Sequence, residues 1–233
     1  MGKTMKAARF VPWTTLMVAA VLVVAYAQPD SWQEFTWKSY QPTLGGYVTY
    51  VAAHWDLTHL LGNVAMLLLA GWFVEIAMGR VRFAALVIIA TVVSIPVEQL
   101  LDWHDGTATN LGGASGLTFA LAGACLVGAV RQVVRYRNGE VGDLAYSATG
   151  IVVLMSVMSL AGNIASGATE EQGSDLVVAW GSHNLGWVIG VVLALALCPG
   201  VIPGAWSATR EALSDARFNR ASRARVRALQ RAL

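Results

Sequence analysis

Charged residues are scarce in this chain of 233 residues: they make up 13% of it, whereas hydrophobic residues make up 56%. Soluble domains usually carry about 25% charged residues. A chain with so few charges cannot cover itself with a polar surface, which excludes an ordinary soluble domain. The sequence instead predicts a protein whose apolar surroundings are largely supplied by a lipid bilayer.

The sequence also has few cysteines and lacks the usual signatures of nucleic-acid binding. The two cysteines, Cys125 and Cys198, lie inside apolar runs, without a metal-binding spacing and without the pattern of a disulfide scaffold. The net charge is only +2, and the arginines are not interleaved with aromatic residues, which argues against a nucleic-acid partner. No motif for a metal, a nucleotide or a flavin occurs, so no cofactor is expected.

Long apolar runs are abundant. A membrane-spanning helix needs roughly 20 mostly apolar residues. Six candidate spans approach or meet that length: residues 10–27, 57–78, 81–101, 115–132, 145–162 and 179–199. The sequence therefore predicts an all-α, polytopic membrane protein, with a bundle of six transmembrane helices in residues 1–200 and a basic tail in residues 201–233.

The connections between the spans differ in charge. Positive charge collects before the first span, after the second, after the fourth and after the sixth: Lys3, Lys6, Arg9, Arg80, Arg82, Arg131, Arg135, Arg137 and seven arginines of the tail. The other connections are acidic, with Lys38 as their only cation. Because positively charged connections stay in the cytoplasm, both termini are predicted to be cytoplasmic in a multi-pass protein of the cell (plasma or inner) membrane.

Both ends of the chain allow a second interpretation. The triplet Ala25–Ala27 resembles a signal-peptidase site, but the apolar run before it is longer than the about 7–15 residues usual in a signal peptide. A retained first helix is therefore favoured. The tail alternates apolar and basic positions, which is equally consistent with a helix lying on anionic lipid and with a solvated basic segment.

The fourth span is short and begins among glycines. In the segment NLGGASGLTF, residues 110–119, three glycines surround Ser115. From Ser115 to Arg131 a helix covers about 24 Å at 1.5 Å per residue, less than the roughly 30 Å of a hydrocarbon core. Ser115 is therefore predicted to lie below the outer membrane surface. The backbone from Asp102 to Ala114 would descend into the protein in an irregular conformation, which glycines permit.

Four polar residues inside the spans are candidate functional residues, because polar side chains are costly in a membrane. They are His59, Asn63, Ser115 and His183. His59 and Asn63 stand four residues apart and share a helix face. Taken alone, this pair is slightly better explained as side chains that join helices by hydrogen bonds.

Glycines indicate which helix faces meet. His183 shares its face with Gly186 and Gly190, a stripe of small residues that lets another backbone approach closely. Ser115 shares its face with a partly small surface made of Phe119, Ala122 and Gly123. Docking of the two faces would bring Ser115 and His183 together.

A serine beside a histidine can carry chemistry. The histidine can take the proton of the serine hydroxyl near neutral pH. Ser115, at a helix N-terminus, would also offer its backbone N–H to a developing oxyanion. The side chains of His59 and Asn63 could donate to the same oxygen. The alternative is a buried, satisfied polar pair in a transporter core.

With these motifs the sequence resembles the rhomboid family of intramembrane serine proteases. The motifs that carry the resemblance are HWDLTHLLGN (residues 54–63), FVEIAMGRVRF with Glu75 and Gly79, GASG (residues 113–116) and SHNLGWVIG (residues 182–190). The resemblance implies a rhomboid-like fold, a catalytic dyad of Ser115 and His183, and an oxyanion hole formed by His59, Asn63 and Ser115.

The resemblance also implies roles for other parts of the chain. His54 would belong to the polar surroundings of the site, and Glu75 would be structural, near the cytoplasmic ends of the helices. Substrates would be single-span membrane proteins, cut near the outer end of the spanning helix. They would arrive from the lipid beside the second and fifth spans, with residues 163–178 as a loop that caps the site.

The chain departs from the common rhomboid pattern at several positions. Phe119 stands where many bacterial members have tyrosine; it can stack on the imidazole but has no hydroxyl. Ser182 replaces a common alanine. The first external loop, residues 28–47, offers only Trp37 and Lys38 in place of a Trp-Arg pair, a difference that bears on the conformation of the loop more than on the chemistry.

The leading hypothesis is an intramembrane serine endopeptidase that cleaves peptide bonds in or next to the transmembrane segments of membrane proteins. The alternative is a non-catalytic rhomboid-like protein that binds or escorts membrane clients. A small-solute transporter is a weaker hypothesis, because secondary transporters are often built from repeats and the two halves of the chain are not similar.

Overall fold

The structure, a computed structural model, describes residues 11–102, 110–136, 150, 153–161, 180–211, 214 and 218. Its helices are α1 (Trp13–Tyr26), α2 (Ser31–Phe35), α3 (Gly46–Thr49), α4 (Leu57–Met78), α5 (Arg80–Asp102), α6 (Ser115–Tyr136), α7 (153–161), α8 (Trp180–Leu197) and α9 (Val201–Glu211). A 3-10 turn, Tyr50–Ala52, follows α3. Two short strands, β1 (Trp37–Lys38) and β2 (Asn110–Leu111), form one antiparallel pair.

Among the described residues, three helices are long and apolar enough to cross a membrane: α4, α5 and α6. A fourth candidate is the pair of α8 and α9, bent by 82°. α1 is apolar but has only 14 residues. Of the predicted span 145–162, the structure describes α7 and residue 150. The prediction of an all-α polytopic membrane protein is confirmed, and the count of six spans stays a prediction.

The helix α4 begins at an acidic cap and ends at a glycine. Three consecutive segments make it up: α-helix Leu57–Met66, π-helix Leu67–Gly71 and α-helix Trp72–Met78. At its N-terminus the Asp56 carboxylate accepts a hydrogen bond from the His59 backbone N–H at 2.7 Å, which satisfies an otherwise unpaired donor. At its C-terminus Gly79 has φ +87°, a conformation that favours glycine and lets the chain turn into α5.

The contact between α6 and α8 lies at the centre of the fold, and glycines allow it. A Cβ added at Gly190 would stand 1.8 Å from the carbonyl oxygen of Ala120, and one added at Gly186 would stand 2.5 Å from that of Gly116. Backbones can approach this closely only where no side chain intervenes. The predicted docking of the glycine stripe of α8 onto α6 is confirmed.

A buried carboxylate joins α4 to α1, far along α4 from His59. Glu75 is fully buried, and its oxygens accept hydrogen bonds from the backbone N–H groups of Thr14 and Thr15 at 3.1 and 2.8 Å and from the Thr15 hydroxyl at 2.8 Å. A helix N-terminus presents unpaired N–H groups and the positive end of the helix dipole, so it stabilises a carboxylate. The structural role expected for Glu75 is confirmed.

Replacement of Glu75 by alanine is expected to lower the free energy of unfolding by about 2–4 kcal/mol, because a helix cap and hydrogen bonds to a charged group are lost together. The measurement is thermal unfolding of the purified protein in one detergent. The matched control is Glu34→Ala, since Glu34 is exposed. A Glu75→Ala protein that unfolds at the wild-type temperature would contradict the assignment.

The segment between α1 and α4 holds the strand that leads into α6. β1 and β2 pair so that Trp37 stands opposite Leu111 and Lys38 opposite Asn110. Trp37 is only 1% exposed and packs near Tyr47. Residues 103–109 of the predicted irregular descent, the N-terminus before residue 11 and most of the tail after residue 211 lie outside the described residues.

Candidate active site

The turn that precedes α6 depends on two glycines. Gly113 has φ +113°, a backbone conformation that other residues rarely adopt, and its N–H donates to the carbonyl oxygen of Tyr50 at 2.9 Å. A Cβ added at Gly112 would stand 2.3 Å from Cζ3 of Trp32. Glycines occur here because the chain must turn and pass against an aromatic ring immediately before Ser115.

The imidazole of His59 lies against the same turn. A Cβ added at Gly113 would stand 2.5 Å from Cε1 and 3.0 Å from Nε2 of His59. On the ring itself the Trp55 indole is stacked, with centroids 3.6 Å apart and planes 23° from parallel. Nδ1 of His59 is buried and has no hydrogen-bond partner in the described part of the chain. The ring thus sits beside the backbone two residues before Ser115.

The side-chain amide of Asn63 is held by His54. Nδ1 of His54 lies 3.2 Å from the carbonyl oxygen of Ala52, and its Nε2 lies 3.2 Å from Nδ2 of Asn63. Burial lowers the pKa of His54 below its ordinary value, so the ring is neutral near pH 7, with Nδ1–H donating and Nε2 accepting. Nδ2 of Asn63 also donates to the His59 carbonyl oxygen at 3.1 Å. Both amide protons of Asn63 are therefore engaged.

Thr118 links Asn63 to the first turn of α6. Its hydroxyl donates to the carbonyl oxygen of Ser115 at 2.9 Å and lies 3.4 Å from Oδ1 of Asn63. Thr118 is not among the site residues predicted from the sequence. Thr118 follows Ser115 by three residues and lies on the same helix face. That spacing is the signal from which a contact between Thr118 and the site could have been inferred.

The helix α8 packs His183 onto α6. The His183 ring is stacked on Phe119, with centroids 4.5 Å apart and planes 4° from parallel. Phe119 stands one turn after Ser115, and Gly186, one turn after His183, faces the backbone of Gly116. His183 is buried, whereas Ser115 is half-buried at the first position of α6. The stacking expected for Phe119 is confirmed.

The four predicted residues converge on the first turns of α6. Ser115 opens that helix, His183 comes from α8, and His59 and Asn63 come from the first two turns of α4. A hydroxyl, an imidazole and N–H donors around a helix N-terminus are the groups that acyl transfer requires. The predicted capping loop, residues 163–178, lies outside the described residues.

A family model described as a Rhomboid domain matches residues 41–200, more than half of the chain. The chain belongs to the rhomboid family. No curated protein matches the chain at a significant level. Rhomboid proteins have a helical polytopic membrane fold and are commonly intramembrane proteases, although the family also contains non-catalytic members.

The part of the chain that matches the rhomboid family contains all four candidate residues. It begins after β1 and ends at residue 200, before α9. Trp32, whose ring covers Gly112, therefore lies outside the matched residues. In this rhomboid protein a contact to the turn before Ser115 comes from a segment that the family description does not include.

Proposed function

We propose that this rhomboid protein is an intramembrane serine endopeptidase in which Ser115 is the nucleophile and His183 the general base. The observation that carries the proposal is the stacking of the His183 ring on Phe119, one helical turn from Ser115. An imidazole beside a serine can remove the hydroxyl proton and so activate a weak nucleophile.

The proposed reaction proceeds in two halves. Oγ of Ser115 attacks the carbonyl carbon of the scissile peptide bond while His183 takes the hydroxyl proton. The C–N bond then breaks as His183 gives that proton to the leaving amine, and the substrate remains as an ester on Ser115. A water molecule, deprotonated by His183, attacks the ester, and Ser115 recovers its proton as the acid product leaves.

The proposed oxyanion hole uses the backbone N–H of Ser115, the ring of His59 and the side-chain amide of Asn63. Donors that are fixed before the reaction stabilise the developing charge most strongly. His59 is supported by its packed position beside Gly113. Asn63 contributes when it exchanges one of its present acceptors, the ring of His54 or the His59 carbonyl oxygen, for the oxyanion.

The proposed substrates are single-span membrane proteins, cleaved near the outer end of the spanning helix. The site lies at the N-terminal ends of α4, α6 and α8. Basic residues follow or lie near the opposite ends of α4 and α6, at Arg80, Arg82 and Arg131, which supports a cytoplasmic position for those ends. We accordingly assign the protein to the cell membrane (plasma or inner), with both termini in the cytoplasm.

The tail, residues 201–233, is proposed as a separate basic segment that contacts anionic lipid. α9 turns by 82° from α8, as a helix lying along the membrane surface would. Ile202 and Trp206 share a face and are 63% and 61% exposed. The Arg210 guanidinium lies 5.2 Å from the centre of the Trp206 ring, and tryptophan and arginine together suit the boundary between lipid and water.

Labelling by a fluorophosphonate, which reacts with activated serines, tests the proposed function. We expect the purified wild-type protein in liposomes to be labelled and mass spectrometry to locate the adduct on Ser115. His183→Ala is expected to remove the labelling, because the hydroxyl loses its base. A folded wild-type protein that reacts with neither this probe nor a second class of serine inhibitor would favour the non-catalytic, client-binding alternative.

A further inference from the structure

The tightest aromatic contact near the candidate site is between Trp55 and His59. Their ring centroids are 3.6 Å apart, at an angle of 23°. Gly113 approaches the same imidazole closely enough that its missing Cβ would overlap Cε1. The His59 ring is therefore in contact with an indole and with the backbone of the turn that leads to Ser115.

Within the described part of the chain, no hydrogen bond at Nδ1 fixes the rotation of the His59 ring. Nδ1 of His59 is buried without a partner among the described residues, whereas a hydrogen bond to one nitrogen usually fixes a functional histidine. The nearby His54 ring is tilted by 56° at 4.9 Å, which is not a parallel stack. The stacked Trp55 indole is therefore the contact best suited to fix the plane of the His59 ring.

Trp55 is itself supported from the first external loop. The Trp32 ring meets Trp55 edge-on, with centroids 5.8 Å apart and planes at 84°, a favourable aromatic geometry. The same Trp32 ring lies against Gly112. Trp32 thus contacts both the residue that stacks on His59 and the turn that His59 approaches.

Burial does not explain the position of Trp55, because 40% of its surface is exposed. A side chain this exposed contributes less to the core than a buried tryptophan does. Its removal should therefore disturb the neighbouring ring more than the fold.

We propose that Trp55 is a positioning residue that holds the His59 imidazole against Gly113, so that a ring N–H is fixed for the oxyanion formed at Ser115. The inference rests on the proposed function, because it assigns to His59 the role of an oxyanion donor. It adds a residue that touches neither the nucleophile nor the base in the described contacts.

Trp55→Ala is expected to lower kcat about 10- to 100-fold with KM changed less than about twofold. The reason is that a donor displaced by about 1 Å loses much of the stabilisation that a fixed donor provides. Trp55→Phe keeps an aromatic face and should retain most of the activity. The measurement is cleavage of a transmembrane reporter in proteoliposomes over a range of reporter concentrations.

Two comparisons separate positioning from a general structural effect. Trp72→Ala is the matched control, since Trp72 lies further along α4 and is 45% exposed; it should keep wild-type kcat. In a His59→Ala background the Trp55→Ala change should have no further effect, because a residue that acts through His59 cannot act without it. The inference would be overturned if Trp55→Ala lowered kcat by the same factor in the wild-type and His59→Ala backgrounds, or if it raised KM without lowering kcat.

A measurement independent of activity examines the ring directly. The chain has four histidines, so isotope labelling of histidine gives few NMR signals. The His59 ring protons should be shifted upfield by the indole in the wild type and should lose that shift in Trp55→Ala but not in Trp72→Ala. If the wild type proves inactive, the proposed function fails, and the NMR shifts alone then test the contact between Trp55 and His59. Loss of the upfield shift in Trp55→Ala would support that contact, and an unchanged shift would refute it.

Discussion

Replacement of Ser115 by alanine is expected to reduce cleavage of a transmembrane substrate on the order of 10⁴-fold or more, because loss of the proposed nucleophile would remove the covalent route altogether. The hydroxyl of Thr118 lies nearby but already donates to the Ser115 carbonyl oxygen at 2.9 Å, so it is a poor substitute. The measurement is kcat in proteoliposomes, with the cleavage products identified by mass spectrometry. His183→Ala should cause a loss of similar size.

Ser94 supplies the matched control for this experiment. Its hydroxyl donates to the Ala90 carbonyl oxygen at 2.7 Å and would lie 3.6 Å from a Cβ added at Gly116. Ser94 is thus a second serine next to the first turn of α6, and Ser94→Ala should cleave at the wild-type rate. Wild-type cleavage by Ser115→Ala would refute the protease mechanism. Equal losses in both variants would point to a disturbed fold.

The contact between α6 and α8 could be predicted from the sequence, because the residues that form it recur at helical spacing along each helix. Gly186 and Gly190 lie one turn apart, with His183 on the same face, and this spacing predicts a close approach to a partner helix. Phe119, one turn after Ser115, belongs to the facing surface for the same reason. The structure adds what spacing cannot supply, namely that Ala120 is the residue of α6 that Gly190 touches.

The surroundings of His59 could not be predicted, because they depend on contacts between segments far apart in the chain. The pairing of β1 with β2 joins two segments that are each only two residues long, too short for a periodic pattern to be visible. The positive φ of Gly113 fits the expected turn, but nothing in the order of residues indicates that the His59 ring packs there. The hydrogen bonds of both Asn63 amide protons could not be predicted either, because one of them depends on the position that His54 takes in the fold.

Replacement of Gly190 by alanine is expected to destabilise the protein by about 3 kcal/mol or more, the upper range for adding a methyl group to a packed interior. The new Cβ would stand 1.8 Å from the carbonyl oxygen and 2.7 Å from Cα of Ala120. Both atoms belong to the backbone, so no change of rotamer can relieve the overlap and the two helices must separate. Activity should fall as well, because α8 also carries His183. Thermal unfolding in detergent measures the first effect and reporter cleavage the second.

Gly62→Ala is the control that separates this steric effect from the general effect of adding a methyl group to a helix. Gly62 lies in the α-helical part of α4, and a Cβ there would meet nothing within 4 Å. Alanine is the better helix former, by about 1 kcal/mol at an unobstructed position, so this variant should be as stable as the wild type or more so. If Gly190→Ala unfolds at the wild-type temperature, the backbones of α6 and α8 do not touch as described. The proposed proximity of His183 to Ser115, which depends on that contact, would then lose its physical basis.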